Sequence, residues 1–390
     1  MVAERKFHGL RVISISPIIV LFCLLGGIQS VSAQDVYRVG GNIALTGKVA
    51  FFGAYCFRGV EMGLQDLAQK GWVNGKKIEV IWEDNEYEPR KSIAAFNKLV
   101  TMDKVSCMIT TGAPTARAIA PLCEQQKIVQ LYTATSSYEI KKSGTFTFKM
   151  MGGQVTESLA MAKFAREDLK AKKAALITVD TEYGLGGGDL FEKYFKKMGG
   201  EILAREKVRP GERDFSSVLM KLNDKKPDIL VVVNLAVDSG SIVKQARRLG
   251  IKAESILGIS ALYSSEFLTT AGTDAEGISV LAYQFDPEEG TPQMKSFAQN
   301  YNKKYGGFAP VYAAAAYDSL MLYAEAMKKG VRTGLEIKNF FRNVQNYEGV
   351  SGIINFDSDS EAMPTHRVLV IRGGTYKEVR RYKQFSESEM

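Results

Sequence analysis

The run Gly184-Leu185-Gly186-Gly187-Gly188 has the glycine density of a phosphate cradle, where missing Cβ atoms let backbone amides close on an anion. The rest of that chemistry is absent. No Lys-Ser or Lys-Thr follows, and the third glycine of a dinucleotide fingerprint falls at Asp189, so the run reads as a loop entering a helix. The acidic turn Asp357-Ser358-Asp359-Ser360-Glu361 resembles part of a calcium loop, yet the sixth position, which needs glycine, is Ala362. It reads as a solvated hairpin turn. His366 lacks the companion ligands of a zinc site and the Gly-x-Ser-x-Gly elbow of a serine hydrolase. We expect no catalytic residue, no metal and no cofactor. Carboxylates are plentiful enough for a hydrolase, which turnover would reveal; binding with the ligand recovered unchanged is the expected behaviour.

The first 33 residues read as a secretory signal, with Arg5, Lys6 and Arg11 ahead of an apolar run from Val12 to Gly26 and small residues at Val31-Ser32-Ala33. Ser14, Ser16 and Pro17 interrupt that run, which argues against a membrane span, and Cys23 lacks the small residues that precede a lipoprotein cysteine. A periplasmic protein beginning near Gln34 is expected. Cleavage removes three basic side chains and one acidic one, so the net charge falls from +8 to +6. Lys and Arg are scattered among Asp and Glu, which excludes a nucleic-acid footprint. Cys56, Cys107 and Cys123 remain. A Cys107–Cys123 bridge is conceivable, and buried free thiols are the leading reading.

These features must be positioned by a chain whose length and low cysteine count call for two domains resting on hydrophobic cores. From Val36 onward β-rich runs alternate with helical patterns, which predicts parallel sheets covered by helices. Strands are expected at Tyr37–Ile43, Lys77–Trp82, Ser106–Thr110 and Ile128–Leu131. Helices are expected at Gly53–Lys70, from Pro89, and at Thr115–Gln126, with Ala44–Phe52 as a loop. After Gly152-Gly153 the alternation restarts, with a helix at Gln154–Leu169 and strands at Lys173–Thr178, Glu201–Lys207, Ile229–Val233 and Gly277–Ala282. Helices at about 292–305, 312–329 and 333–345 precede a hairpin-rich ending at Gly352–Phe385.

Leu45-Thr46-Gly47 through Phe52-Gly53, Glu83-Asp84-Asn85, Asp180-Thr181-Glu182-Tyr183-Gly184 and Gly211-Glu212-Arg213-Asp214-Phe215-Ser216 occur in this order. In that combination the chain resembles the branched-chain amino-acid binding proteins, the type I periplasmic binding proteins related to the leucine/isoleucine/valine-binding protein. The resemblance implies an α/β fold of two Rossmann-like, doubly wound lobes joined by three crossover segments, near Met150–Gly152, Tyr283–Phe285 and Glu348–Gly352. Residues 35–150 and 285–349 would form the first lobe, residues 151–284 and 350–385 the second. It further implies a monomer that closes on a small-molecule ligand and delivers it to an ABC permease in the inner membrane. A ligand sensor for a membrane receptor would share the fold.

Carried over by position, the resemblance puts Phe51 and Phe52 above the cleft and makes Gly112, Ala113 and Thr115, at a helix start, and Thr133, Ala134 and Thr135 grips for a carboxylate. From the second lobe it implies Tyr183, Asn234 or Leu235, and Ser260 or Tyr263. Amino-acid-binding relatives usually hold the ligand's ammonium with an acidic side chain, and the aligned position here is Ser260. Asp180 or Asp238 could substitute if the loops bring them inward. With the ammonium grip weakened and aromatic residues nearby, the expected cargo is an amine-free carboxylic acid, aromatic acids included; branched-chain or other amino acids are the alternative.

Overall fold

The computed structural model describes residues 36–47, 49–133, 144–363 and 365–382. The expected leader, Ala134 and Thr135 lie outside them. The first lobe is built from β1 (Tyr37–Ile43), α1 (Ala50–Gln69), β2 (Ile78–Asp84), α2 (Pro89–Thr101), β3 (Cys107–Thr110), α3 (Ala113–Gln126), β4 (Val129–Tyr132) and β5 (Thr147–Lys149). All five strands are parallel, in the order β2-β1-β3-β4-β5. Strands β3 and β4 are buried at every residue, as a sheet covered on both faces requires.

The second lobe follows with α4 (Gln154–Lys163), continued by a π-helical turn at Phe164–Asp168, then β6 (Lys173–Val179), α5 (Glu182–Lys197), β7 (Glu201–Val208), α6 (Ser216–Asn223), β8 (Ile229–Val233), α7 (Ala236–Arg248), β9 (Ile256–Gly258), α8 (Ser265–Ala271) and β10 (Ser279–Tyr283). Next come α9 (Pro292–Tyr305), α10 (Val311–Lys328), α11 (Gly334–Arg342), the hairpin β11 (Tyr347–Glu348) and β12 (Ile353–Ile354), and the antiparallel pair β13 (His366–Arg372) and β14 (Thr375–Tyr382). The second sheet runs β14-β13-β10-β9-β8-β6-β7, parallel from β10 to β7.

Both sheets reverse their winding direction, the first between β1 and β3 and the second between β6 and β8. At such a point the connections leave toward opposite faces and open a crevice beyond the carboxyl ends of the strands. That sets where a ligand site should be sought.

Two glycine patterns serve packing. On α1, a Cβ at Gly59 would stand 2.0 Å from the Ala313 carbonyl oxygen, so α1 and the Ala313–Ala316 stretch of α10 touch backbone to backbone. The Gly184–Gly188 run lies inside α5, correcting its reading as a loop. A Cβ at Gly184 would meet the Val179 carbonyl oxygen at 2.1 Å, and one at Gly188 the Arg205 guanidinium at 2.5 Å.

The third crossover also differs from expectation. Gly349–Gly352 forms the turn of the β11/β12 hairpin, while Ile354, Phe356 and Ala362 pack in the first lobe's core beside Phe148 and Phe341. Residues 360–362 run along β5, with Lys149 N–H donating to the Ser360 carbonyl and Ala362 N–H to the Lys149 carbonyl, both at 2.9 Å. The chain therefore passes to the second sheet between Ala362 and His366. Glu361, expected on a solvated turn, forms a buried ion pair with Lys149. Cys56, Cys107 and Cys123 are free and buried. No helix among the described residues is long and apolar enough to cross a membrane.

Candidate ligand-binding cleft

In the first lobe the connection after β1 is held by Asp84 at the end of β2, whose carboxylate accepts from Leu45 N–H (2.9 Å) and the Thr46 hydroxyl (2.6 Å). Beneath it Asn85 donates to Asn42, and Asn42 to the Ser92 carbonyl, each at 2.9 Å and buried. The Leu45-Thr46-Gly47 and Glu83-Asp84-Asn85 motifs are thus a scaffold that aims the start of α1. Phe51 and Phe52 lie in the first turn of that helix, not in a preceding loop, and Phe51 is 49% exposed. Phe52 meets Tyr312 edge-on at 5.2 Å between centroids, and Tyr55 stacks parallel to Tyr312 at 6.5 Å. An aromatic wall results.

Strand β3 ends at Thr110, next to the winding reversal. Thr111 is buried, and its hydroxyl has no hydrogen-bond partner among the described residues. Gly112 turns with φ +88°, where a Cβ would stand 2.5 Å from the Tyr87 ring. Helix α3 starts at Ala113, earlier than expected, so Thr115 sits inside its first turn. The Thr115 hydroxyl donates back to Thr111 O (2.6 Å) and Gly112 O (2.8 Å), which removes it from the open grips. Thr133 is buried with its hydroxyl toward Thr110 O (3.3 Å) and Cys56 Sγ (3.7 Å). The first amides of α3 remain outside the intrahelical ladder, at the positive end of its dipole.

In the second lobe Thr181 caps α5 by accepting from Gly184 N–H at 3.4 Å, and Gln154 of α4 donates to the Tyr183 carbonyl at 2.7 Å. Tyr183 is thereby fixed beside the end of β6. Asn234 follows β8 and is fully buried; its Oδ1 accepts from Leu235 N–H (2.7 Å), while its Nδ2 has no partner among the described residues. Leu235, before α7, is 42% exposed. Ser260 begins a short 3₁₀ turn after β9. Tyr263 is engaged elsewhere, against Tyr376 (4.8 Å) and Phe308 (5.4 Å) with the Arg367 guanidinium 5.7 Å from its ring.

The residue that sequence reasoning missed is Glu157. It is fully buried on α4, and its Oε1 accepts from Ser260 N–H at 3.0 Å. Its Oε2 has no partner among the described residues. Burial pushes its pKa up to about 7 against the pull of Ser260, and its charge adds to the burial that raises the Tyr183 and Tyr312 phenols. Tyr183 and Glu157 of one lobe and Tyr312 of the other thus share one environment. Asp180 is exposed and Asp238 already accepts from Gly211 N–H (2.8 Å), so neither supplies the inward acid. An acid therefore does stand beside Ser260, supplied by α4 and not by the strand tip.

The lobes also meet at the rim. Arg117 of α3 donates to both carboxylate oxygens of Glu182 on α5, at 2.9 and 3.3 Å, and the Tyr55 hydroxyl donates to Glu266 of α8 at 3.1 Å.

The family model described as periplasmic binding protein matches residues 36–375. The chain belongs to this family. Within it the protein is a type I binding protein of the branched-chain amino-acid transporter group, and its role is that of an extracytoplasmic solute-binding protein of an ABC transporter. It is 26% identical to Leu/Ile/Val-binding protein homolog 2 of Brucella abortus (strain 2308) over 352 residues, covering 88% of this chain and 91% of that one. The branched-chain amino acid transporter substrate binding protein LivJ of Streptococcus pneumoniae, solved in complex with isoleucine, is 27% identical, with a TM-score of 0.78 and coverage of 88% and 99%. A solute binding protein from Rhodopseudomonas palustris BisB5, solved with 3,4-dihydroxy benzoic acid, shares the fold at a TM-score of 0.80 and 24% identity, covering 91% of this chain and 100% of that one.

A hollow of about 860 Å³ in this binding protein lies beside the second crossover, between Gln284, Asp286, Met294, Glu348 and Arg381. Two of its polar groups are already engaged. Asp286 pairs with Arg367, and Gln284 donates to the Ile353 carbonyl at 3.0 Å. Thr111, Glu157 and Asn234, by contrast, each carry a buried polar atom without a partner among the described residues.

Proposed function

We propose that this solute-binding protein captures a small carboxylate with an apolar body between its lobes and presents it to the permease of an ABC importer. The buried, unpartnered hydroxyl of Thr111 at the start of α3 carries the reading. A buried donor without a partner costs about 1–3 kcal/mol, a cost that a ligand oxygen relieves. Beside it the first amides of α3 favour negative charge. The wall of Phe51, Phe52, Tyr55 and Tyr312 suits an apolar body. The ligands named for the Streptococcus and Rhodopseudomonas neighbours, isoleucine and 3,4-dihydroxy benzoic acid, are both carboxylic acids with such a body.

A thermal-shift panel tests this, because a ligand that binds only the folded state raises its stability. Amino acids and amine-free aliphatic and aromatic acids are compared with their methyl esters. At least one free acid should raise the melting temperature and its ester should not. Thr111→Val should weaken that acid about tenfold and leave the ligand-free melting temperature close to wild type. Equal stabilisation by acid and ester would refute the carboxylate grip.

A further inference from the structure

Two polar contacts cross from lobe to lobe at the rim of the cleft. Arg117 reaches Glu182 with both prongs of its guanidinium, Nη1 to Oε1 at 2.9 Å and Nη2 to Oε2 at 3.3 Å, and the Tyr55 hydroxyl donates to Oε1 of Glu266 at 3.1 Å. In each, the donor belongs to the first lobe and the carboxylate to the second. A planar guanidinium matched to both oxygens of a carboxylate fixes orientation as well as distance.

The topology sets these contacts on opposite sides of the cleft. In the first sheet β1 and β3 are neighbours across the winding reversal, so the helices that follow them take opposite faces, α1 packing on α10 and α3 on α2. In the second sheet β6 and β9 flank β8, and α5 and α8 again take opposite faces, α5 packing on α4 and α8 on α7. One contact joins α3 to α5 and the other joins α1 to α8, with the tip of β8 between their second-lobe anchors.

Each anchor is also held within its own lobe. Glu182 opens α5 directly after the Thr181 cap, and the Ser265 hydroxyl donates to Oε2 of Glu266 at 3.2 Å, which leaves Oε1 to Tyr55. Tyr55 is fixed by its stacking on Tyr312. Burial, and after it the charge of Glu182, raises the phenol of Tyr87, whose ring packs against Gly112, so Glu182 faces the first lobe at a second point.

We propose that Arg117–Glu182 and Tyr55–Glu266 are latches by which the lobes hold one another, so that a share of the molecules is closed before any ligand binds and the ligand adds to an equilibrium already biased toward closure. The bias is modest and salt-dependent. The Arg117 and Glu182 side chains are 41% and 44% exposed, and an exposed ion pair shifts an equilibrium by at most about fivefold. Two latches on opposite sides resist opening in more than one direction, which a single contact acting as a pivot does not.

Small-angle X-ray scattering of the exported protein, unfolded and refolded to strip bound solute and measured without added ligand, reads the ratio of closed to open molecules. Arg117→Glu exchanges attraction for like-charge repulsion and should lower that ratio about tenfold, with a larger radius of gyration. The exchanged pair Arg117→Glu/Glu182→Arg should recover most of the loss, and Glu266→Ala should lower the ratio about threefold. Raising NaCl from about 50 to about 500 mM should open the wild type and leave Arg117→Ala/Glu182→Ala unmoved. Urea midpoints should stay at the wild-type value throughout, which separates a latch from a contact that a lobe needs in order to fold. If Arg117→Glu fails to fold, the wild-type salt series decides. Scattering that does not change with salt, wild type and Arg117→Glu alike at low salt, or an exchanged pair that stays as open as Arg117→Glu overturns the proposal. No ligand enters the measurement, so none of these results bears on the carboxylate reading.

Discussion

Lys149 and Glu361 tie the end of β5 to the segment through which the chain leaves the first lobe. The Lys149 side chain is 2% exposed and that of Glu361 10%, so the pair sits in a low-dielectric setting. Replacing Glu361 with Gln leaves the ammonium buried without its counter-charge, and breaking a buried pair in this way costs about 3–5 kcal/mol. The lower part of that range applies, because Lys149 N–H still donates to Ser360 and Ala362 N–H to Lys149, which keeps the segments aligned. The double variant Lys149→Met/Glu361→Met removes both charges at similar volume. Its loss should be below about 1 kcal/mol, because desolvation of the pair offsets most of its Coulomb gain. Urea unfolding of the two singles and the double, read as a double-mutant cycle, measures the coupling directly. If Glu361→Gln lies within about 1 kcal/mol of wild type, or if the double is as unstable as the single, the assignment of this pair as a buried, closed ion pair is wrong.

Burial raises the pKa of Asp318 to about 6 from 3.8, although its carboxylate accepts from Val350 N–H, Ser351 N–H and the Ser351 hydroxyl. The folded protein keeps that proton where the unfolded chain has lost it, so this contribution to stability is complete below the unfolded value and lost as pH rises through about 6. Relative to Asp318→Asn, wild type should lose up to about 3 kcal/mol between pH 3.5 and 7, and parallel urea profiles would contradict this. Gly59→Ala should destabilise by about 2–3 kcal/mol, because its Cβ would press on the Ala313 carbonyl, and an unchanged thermal midpoint would show that α1 and α10 can separate freely. Tyr183→Ala should weaken ligand binding by calorimetry while leaving far-ultraviolet circular dichroism unchanged; unaltered affinity removes Tyr183 from the cleft.

Periodicity and composition reveal the parallel architecture, since Ile229–Val233 is an unbroken apolar run and Pro89 marks a helix start. They misplace the starts of α1 and α3 for one reason. Val49 and Gly112 occupy the N-cap positions without a side-chain cap, so no Ser, Thr, Asp or Asn announces the first turn. Phe51, Phe52 and Thr115 therefore read as loop or helix-start residues. Glu157 escaped because its burial is tertiary. The one signal for it is the surrounding sequence, a lone acid in Gln154–Ala162 among residues small or apolar on every side, the pattern of a helix buried all round. The resemblance directed attention to the strand tip at Ser260, and the carboxylate reaches the same point from the neighbouring helix.

The crossovers bear on how closure would proceed. The Tyr283 hydroxyl donates to the Gly152 carbonyl (3.3 Å), joining the first and second connections, and Gln284 donates to the Ile353 carbonyl of the β11/β12 hairpin (3.0 Å). Arg367 of β13 grips the second at the Tyr283 and Phe285 carbonyls (3.1 and 2.6 Å) and at Asp286. Rotation about any one connection strains bonds to the others, so the three must bend together. A hinge of this kind concentrates motion in one axis and leaves each lobe rigid. That rigidity matters at Glu157 and Thr111, which belong to different lobes. If the cleft takes its ligand as proposed, each would keep its open hydrogen-bonding atom in place beforehand, and affinity would depend on the one motion that closes the lobes.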